Sequence, residues 1–115
     1  MRVAIIGSRN VKNMDEAVLL IRKNLPEGCS EIVSGDAEGI DTAAKILADQ
    51  LSIRYTCFAP EYEKYGKAAP VKRNRQIVDY TDVVLAFWDF SSSGTQSGII
   101  DSIKTDKPVR VIPLK

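Results

Sequence analysis

Val33-Ser34-Gly35-Asp36-Ala37-Glu38-Gly39-Ile40-Asp41 is the stretch on which the fold turns. The apolar pair Ile32-Val33 stops at Ser34-Gly35, a short turn follows, and a helical pattern starts near Gly39. Small residues at a strand-to-helix turn leave the backbone open to a ligand. The helix that follows offers unpaired N–H groups and the positive end of its dipole, which together suit an anion such as phosphate. The competing reading is that the glycines only permit the turn, and two similar turns elsewhere in the chain favour the first.

Outward from this stretch the same alternation recurs. Val3-Ala4-Ile5-Ile6 is a continuous apolar run, the pattern of a central parallel strand buried on both faces, and it ends in Gly7-Ser8-Arg9-Asn10. Asn13 and Glu16 form a capping-box pattern. Behind it Met14, Ala17, Val18, Ile21 and Leu25 share one helical face until Pro26 and Gly28. Glu31 to Ser34 is a second strand, and Ile40, Ala43, Ala44, Leu47 and Leu51 make the buried stripe of a second helix. Ile53 to Phe58 reads as a third strand, near an edge because Arg54 and Thr56 interrupt it. Pro60 to Pro70 reads as a polar loop, and a helix follows from Pro70 with Val71, Ile77 and Val78 facing inward. Val83 to Phe87 is the fourth strand and residues 88–95 its exit turn. Ile99, Ile100 and Ile103 mark another helix, and Val109 to Ile112 closes the pattern. Strand then helix, four times, with a closing strand predicts an α/β fold. The expected form is a Rossmann-like three-layer sandwich with a five-stranded parallel sheet and about four helices, on both faces of the sheet. Residues 1–115 are expected to form a single domain.

Composition narrows the function classes. The formal net charge is +1, so no general attraction draws the chain to nucleic acid or to an anionic membrane, and nucleic acid is not the expected partner. There is no histidine, which removes imidazole acid/base catalysis and most zinc sites. No metal or cofactor is expected. Cys29 and Cys57 stand far apart and read as reduced, partly buried thiols of a cytoplasmic protein. The apolar N-terminal run reaches Gly7 too soon for a signal peptide, and no stretch is long enough to span a membrane.

In parallel sheets ligands bind beyond the carboxyl ends of the strands, where strand order reverses. Three strand exits here are small and polar: Gly7-Ser8-Arg9, Ser34-Gly35-Asp36 and Ser91-Ser92-Ser93-Gly94-Thr95. If their strands are neighbours, the turns converge on one crevice. Arg9 adds a charge that grips phosphate in two-pronged fashion. The dinucleotide fingerprint G-x-G-x-x-G and the phosphate loop G-x-x-x-x-G-K-[ST] are both missing. The basic cluster Lys64, Lys67, Lys72, Arg73 and Arg75 reads by itself as a solvated helix face. Arg73 and Asn74 stand out from it, in the first turn of the helix that leads to the fourth strand. Phe87, Trp88 and Phe90 fit packing better than a base-stacking platform. Asp41 is placed to stabilise the dipole of its helix or to orient the neighbouring turn.

Gly7-Ser8-Arg9, Ser34-Gly35 with Gly39-Ile40-Asp41, Arg73-Asn74 and Gly94-Thr95, in this order, resemble the SLOG superfamily. Its named branches are the SMF/DprA DNA-processing proteins and the LOG cytokinin-activating phosphoribohydrolases. The S-G-x-x-x-G-I-D pattern is close to that of the DNA-processing branch, and the chain as a whole looks most like the small stand-alone YspA/YpsA-related members. The resemblance implies a Rossmann-like domain whose crevice binds a nucleotide or a nucleotide-derived small molecule. The implied binding residues are Gly7, Ser8, Arg9, Ser34, Gly35, Asp36, Gly39, Asp41, Arg73, Asn74, Ser92, Ser93, Gly94 and Thr95. The LOG branch also cleaves the N-glycosidic bond of nucleoside monophosphates, with a catalytic glutamate in P-G-G-x-G-T-x-x-E, and it implies a homodimer. Arg73 and Gly94-Thr95 match that branch, whereas Gly98 stands where the glutamate should be. Glycine neither stabilises an oxocarbenium-like transition state nor activates water. Asp36 and Asp89 are the nearest carboxylates that stand in its place. The expected function is therefore binding or sensing of a phosphate-bearing nucleotide ligand. LOG-like hydrolysis is the alternative and DprA-like DNA binding the third reading, with Tyr62 to Arg75 as its groove.

Overall fold

The computed structural model describes residues 1–114. The strands are β1 (Arg2–Gly7), β2 (Glu31–Gly35), β3 (Arg54–Phe58), β4 (Val83–Trp88) and β5 (Val109–Pro113). They form one sheet in the order β3-β2-β1-β4-β5, and every pair is parallel. Four helices of eleven or twelve residues connect them: α1 (Met14–Asn24), α2 (Ile40–Gln50), α4 (Ala69–Tyr80) and α5 (Ser93–Lys104), with a one-turn helix, α3 (Tyr62–Tyr65), ahead of α4. The Rossmann-like α/β architecture implied by the alternation is the one observed.

The unbroken apolar run of β1 follows from its central position. Val3 and Ile5 point to the α1/α2 side, where they meet Ala17, Val18, Ile21, Ile40, Ala43, Ala44 and Leu47. Ala4 and Ile6 point to the other side, against Ile77 and Val78 of α4 and Ile99 of α5. A strand with helices on both faces has no polar side to present. Asn13 caps α1 as its sequence pattern implies, its Oδ1 accepting the Glu16 N–H at 3.0 Å. β3 is an edge strand, in keeping with Arg54 and Thr56. Both side chains reach the buried Glu31 carboxylate of β2, Thr56 Oγ1 donating at 2.7 Å and Arg54 Nε lying 3.8 Å away. Among the described residues no helix is long and apolar enough to cross a membrane.

Four local expectations need correcting. Residues 60–70 are not a plain loop but carry α3 and a 3-10 turn at Gly66–Ala68. None of the side chains of these two elements is buried, so hydrophobic periodicity had nothing to report there. α4 begins at Ala69, which puts Arg73 in its second turn rather than its first. Val71 is 51% exposed, because the inward stripe of α4 runs Ala69, Arg73, Ile77 at four-residue spacing and Val71 falls off it. Cys29 is half-buried as expected, but Cys57 is exposed on the edge strand.

Candidate functional site

The chain builds β1, β2 and β3 outward in one direction and then returns to add β4 on the other side of β1. Strand order therefore reverses between β1 and β4, and a crevice opens beyond their carboxyl ends. The exits of β1, β2 and β4 converge there on a cleft of about 680 Å³. Of the residues singled out in the sequence, Gly7, Ser8, Arg9, Gly35, Asp41, Arg73, Asn74, Ser92, Ser93, Gly94 and Thr95 line it. Asp36 lies instead on an adjoining cavity of about 700 Å³, into which Arg9 and Arg73 also open. Ser34 and Gly39 line neither.

Those two residues hold the walls in place. Ser34 is fully buried in β2, with its Oγ 2.5 Å from Tyr55 Oη. Gly39 is the N-cap of α2 at φ +75°, a left-handed conformation that side chains resist. A Cβ there would also strike the carbonyl oxygens of Ser8 and Arg9. The close approach lets the Ile40 N–H donate to Ser8 O at 3.1 Å, so the start of α2 braces the β1 exit. Gly7 has a comparable reason: a Cβ would sit 2.6 Å from Phe87 O and 2.7 Å from Ile40 Cγ1.

At the β4 exit, Asp89 organises the turn. Its Oδ1 accepts the N–H groups of Ser91 and Ser92 at 2.9 and 2.8 Å, and its Oδ2 accepts the Ser8 hydroxyl at 2.9 Å. The same bonds, the Ser91 and Ser92 N–H groups foremost, hold its carboxyl down at about 2. Ser8 Oγ in turn accepts the Asn10 N–H at 3.2 Å, so the β1 and β4 turns form one unit. Behind it α5 starts at Ser93, and no side chain caps its first turn. The N–H groups of Ser93, Gly94 and Thr95 thus have no side-chain cap at the positive end of the helix dipole, and all three residues line the cleft. Trp88 and Phe90 pack at the rim with ring centroids 5.0 Å apart, and Trp88 Nε1 donates to Ser92 O at 3.0 Å. Phe87 is fully buried in the core.

Opposite α5 lies Arg73, only 6% exposed. Its Nε donates to Asn74 Oδ1 at 2.9 Å and its Nη1 to Phe58 O at 3.4 Å, but among the described residues it has no ion pair. Asn74 reaches the other way, its Nδ2 donating to Gly94 O at 3.2 Å. Asp41, 8% exposed in the first turn of α2, crowds the same point beside Gly35 as Arg73. A Cβ at Gly35 would come within 2.7 Å of Arg73 Cζ and 2.9 Å of Asp41 Oδ2, so the glycine makes room for both groups. Burial pushes the Asp41 carboxyl up to about 6, against the opposing pull of Arg73, the backbone of Ala37 and Gly35, and Arg9.

The five basic residues of 64–75 do not act as one patch. Arg73 is buried in the cleft wall. Arg75 lies 3.5 Å from Asp79 and 4.0 Å from Asp101. Lys64 and Lys72 place their ammonium groups 5.2 and 5.9 Å from the Tyr65 ring centroid. Gly98, where the LOG pattern has glutamate, is buried in α5, and a Cβ there would stand 2.6 Å from Ile6 Cδ1. The Cδ1 methyl of Ile6 would have to swing aside for any side chain at that point. Sequence reading missed the tying role of Asp89 and the contribution of Asn10, Ala37 and Ser97 to the lining. An Asp two residues ahead of a serine run was the available signal for the first.

No protein-family model matches the chain, and comparison with curated proteins gives no match. Two solved structures are similar over essentially its whole length. One is DNA processing protein A from Helicobacter pylori, whose structure is described for a single-stranded DNA binding mode. It is 24% identical, with 100% of this chain and 66% of that one covered and a TM-score of 0.76. The other is DNA processing protein A (DprA) from Streptococcus pneumoniae, 23% identical, with 99% of this chain and 50% of that one covered and a TM-score of 0.80. The present chain thus spans between half and two thirds of the length of these relatives. What it shares with them is the fold.

Proposed function

We propose that the cleft binds a nucleotide through its phosphate, without hydrolysing it. One observation carries this reading: among the described residues the buried Arg73 guanidinium makes no salt bridge, feeling Asp41 only across the space beside Gly35, and it lines the cleft together with the uncapped start of α5. Arg73 and Asp41 do not close into a salt bridge, so donor capacity remains on the guanidinium, and an anion that also takes the N–H groups of Ser93, Gly94 and Thr95 fills it. Arg9, exposed at the rim, and the hydroxyls of Ser92, Ser93 and Thr95 add donors suited to phosphate oxygens. Turnover of the LOG kind lacks the glutamate of its motif, and Asp41, the one cleft carboxyl raised toward neutrality, sits at the β2 exit rather than on α5. Gly98 has no side chain to offer, and Asp89, at about 2, stays ionised as a turn-former.

Single-stranded DNA is the second reading. The fold likeness to the Helicobacter protein favours it, as do Tyr62, Tyr65, Lys64 and Lys72 on one rim, which supply stacking surfaces beside positive charge. Calorimetric titration with nucleoside monophosphates and with a short deoxythymidine oligonucleotide separates the two. Monophosphate binding that weakens at least tenfold in both Arg73→Ala and the exposed Arg9→Ala supports the first reading, since a charge-assisted hydrogen bond is worth about 1.5–3 kcal/mol. Oligonucleotide binding alone, with a steep loss on adding salt, replaces it with the second.

A further inference from the structure

The phosphate reading leaves the adjoining cavity unexplained. Its lining includes Asp36, Glu38 and Tyr62, and it meets the cleft at Arg9, Ala37 and Arg73. The buried Arg73 guanidinium therefore opens into both spaces. A phosphate held by Arg73 and Arg9 lies where the two spaces join.

We propose that this second cavity is the base subsite of the nucleotide and that it selects guanine, an inference that rests on the phosphate reading. The two carboxylates are acceptors only. Guanine alone among the common bases presents two adjacent N–H donors, N1–H and the 2-amino group, on one edge, and they match the two oxygens of a single carboxylate. Adenine and cytosine set an acceptor nitrogen beside their amino group, and uracil sets carbonyls on both sides of its N–H. Each of these edges would turn a lone pair toward Asp36 or Glu38. Tyr62, 57% exposed on the one-turn helix α3, offers an aromatic face to the base. The same carboxylates repel further phosphates, so the cavity suits the neutral end of a mononucleotide better than the next unit of a strand.

The test is calorimetric titration with GMP, IMP, AMP and ribose 5-phosphate. GMP should bind about tenfold or more tighter than AMP, as expected for a charge-assisted pair of hydrogen bonds, with IMP, which lacks the 2-amino group, between them. Asp36, Glu38 and Tyr62 are all exposed, so Asp36→Asn, Glu38→Gln, their double variant and Tyr62→Ala leave the core untouched. The double variant should bring GMP down to the affinity of AMP, while ribose 5-phosphate binds as well as before or tighter because two nearby negative charges are gone. Tyr62→Ala should weaken every base-bearing ligand and spare ribose 5-phosphate. If GMP, AMP and ribose 5-phosphate bind alike, or if the preference for GMP survives the double variant, the base subsite is refuted and the phosphate reading stands. If no monophosphate binds, the phosphate reading itself fails and this inference falls with it.

Discussion

Asp41→Asn should stabilise the protein at neutral pH and do nothing in acid. The side chain is almost isosteric, keeps an oxygen to accept from the backbone of Gly35 and Ala37, and removes only the charge that burial disfavours. The ordinary value for the carboxyl is 3.8 and the folded protein raises it to about 6. Below about pH 4 the carboxyl is protonated in both the folded and unfolded chains. Between about pH 4 and 6 the unfolded chain releases the proton while the folded chain keeps it, so stability falls as pH rises and levels off above the folded value. At about 1.36 kcal/mol per pH unit this amounts to about 3 kcal/mol, which Asn at this position does not lose. For a chain of this size, 1 kcal/mol moves the melting temperature by roughly 4 °C, so the variant should melt about 10 °C higher at pH 7.5. Melting followed by circular dichroism from pH 3.5 to 8 should show the two curves meeting in acid and separating through pH 4–6. A constant difference across that range, or an Asn variant less stable at pH 7.5, would mean that Arg73 and the backbone over-compensate the burial and would refute the reasoning.

Two further outcomes test the walls of the cleft. Gly35→Ala should lose affinity for nucleoside monophosphates and cost about 1–3 kcal/mol of stability in denaturant melts, because the new methyl displaces Arg73 and Asp41 together. Asn13→Ala should cost about 1 kcal/mol through the lost cap of α1 while leaving ligand affinity unchanged in the same titrations, since that cap lies outside the cleft.

The sheet was legible in the sequence because burial on both faces forces an unmistakable pattern. Val3 to Ile6 and Val83 to Phe87 carry no polar residue, and each became a strand at the centre of the sheet. Two of the three polar exits were legible for a related reason: at Gly7, Gly35 and Gly39 a Cβ would crowd its neighbours. What the sequence hid was burial of charge. Arg73 sits among Lys72, Arg75 and other solvated residues, and only its four-residue spacing from Ala69 and Ile77 distinguishes it. Residues 60–68 were illegible because their helical turns are stabilised by local hydrogen bonds and by Lys–Tyr contacts, with no apolar stripe to mark them. That Ser34 and Gly39 line neither cavity was hidden for another reason. A small residue that packs and one that admits a ligand read the same in one dimension.

The distribution of charge around the cleft bears on the choice between nucleotide and strand. Arg9 and Arg73 stand where the two cavities meet, and carboxylates lie beyond them on either side: Asp89 toward α5, and Asp36 and Glu38 toward α3. Asp89 is committed to its turn and remains ionised well into acid. A polyanion needs positive potential along its whole path, whereas a single phosphate needs it at one point. A focal pair of arginines flanked by acids meets the second requirement and opposes the first. The fold shared with DNA processing protein A therefore does not by itself bring a strand-binding surface with it, because fold is set by the apolar alternation of β1 and β4 and the ligand by a few side chains at their ends. On the proposed reading, the side chains at the ends of these strands take one phosphate at a time.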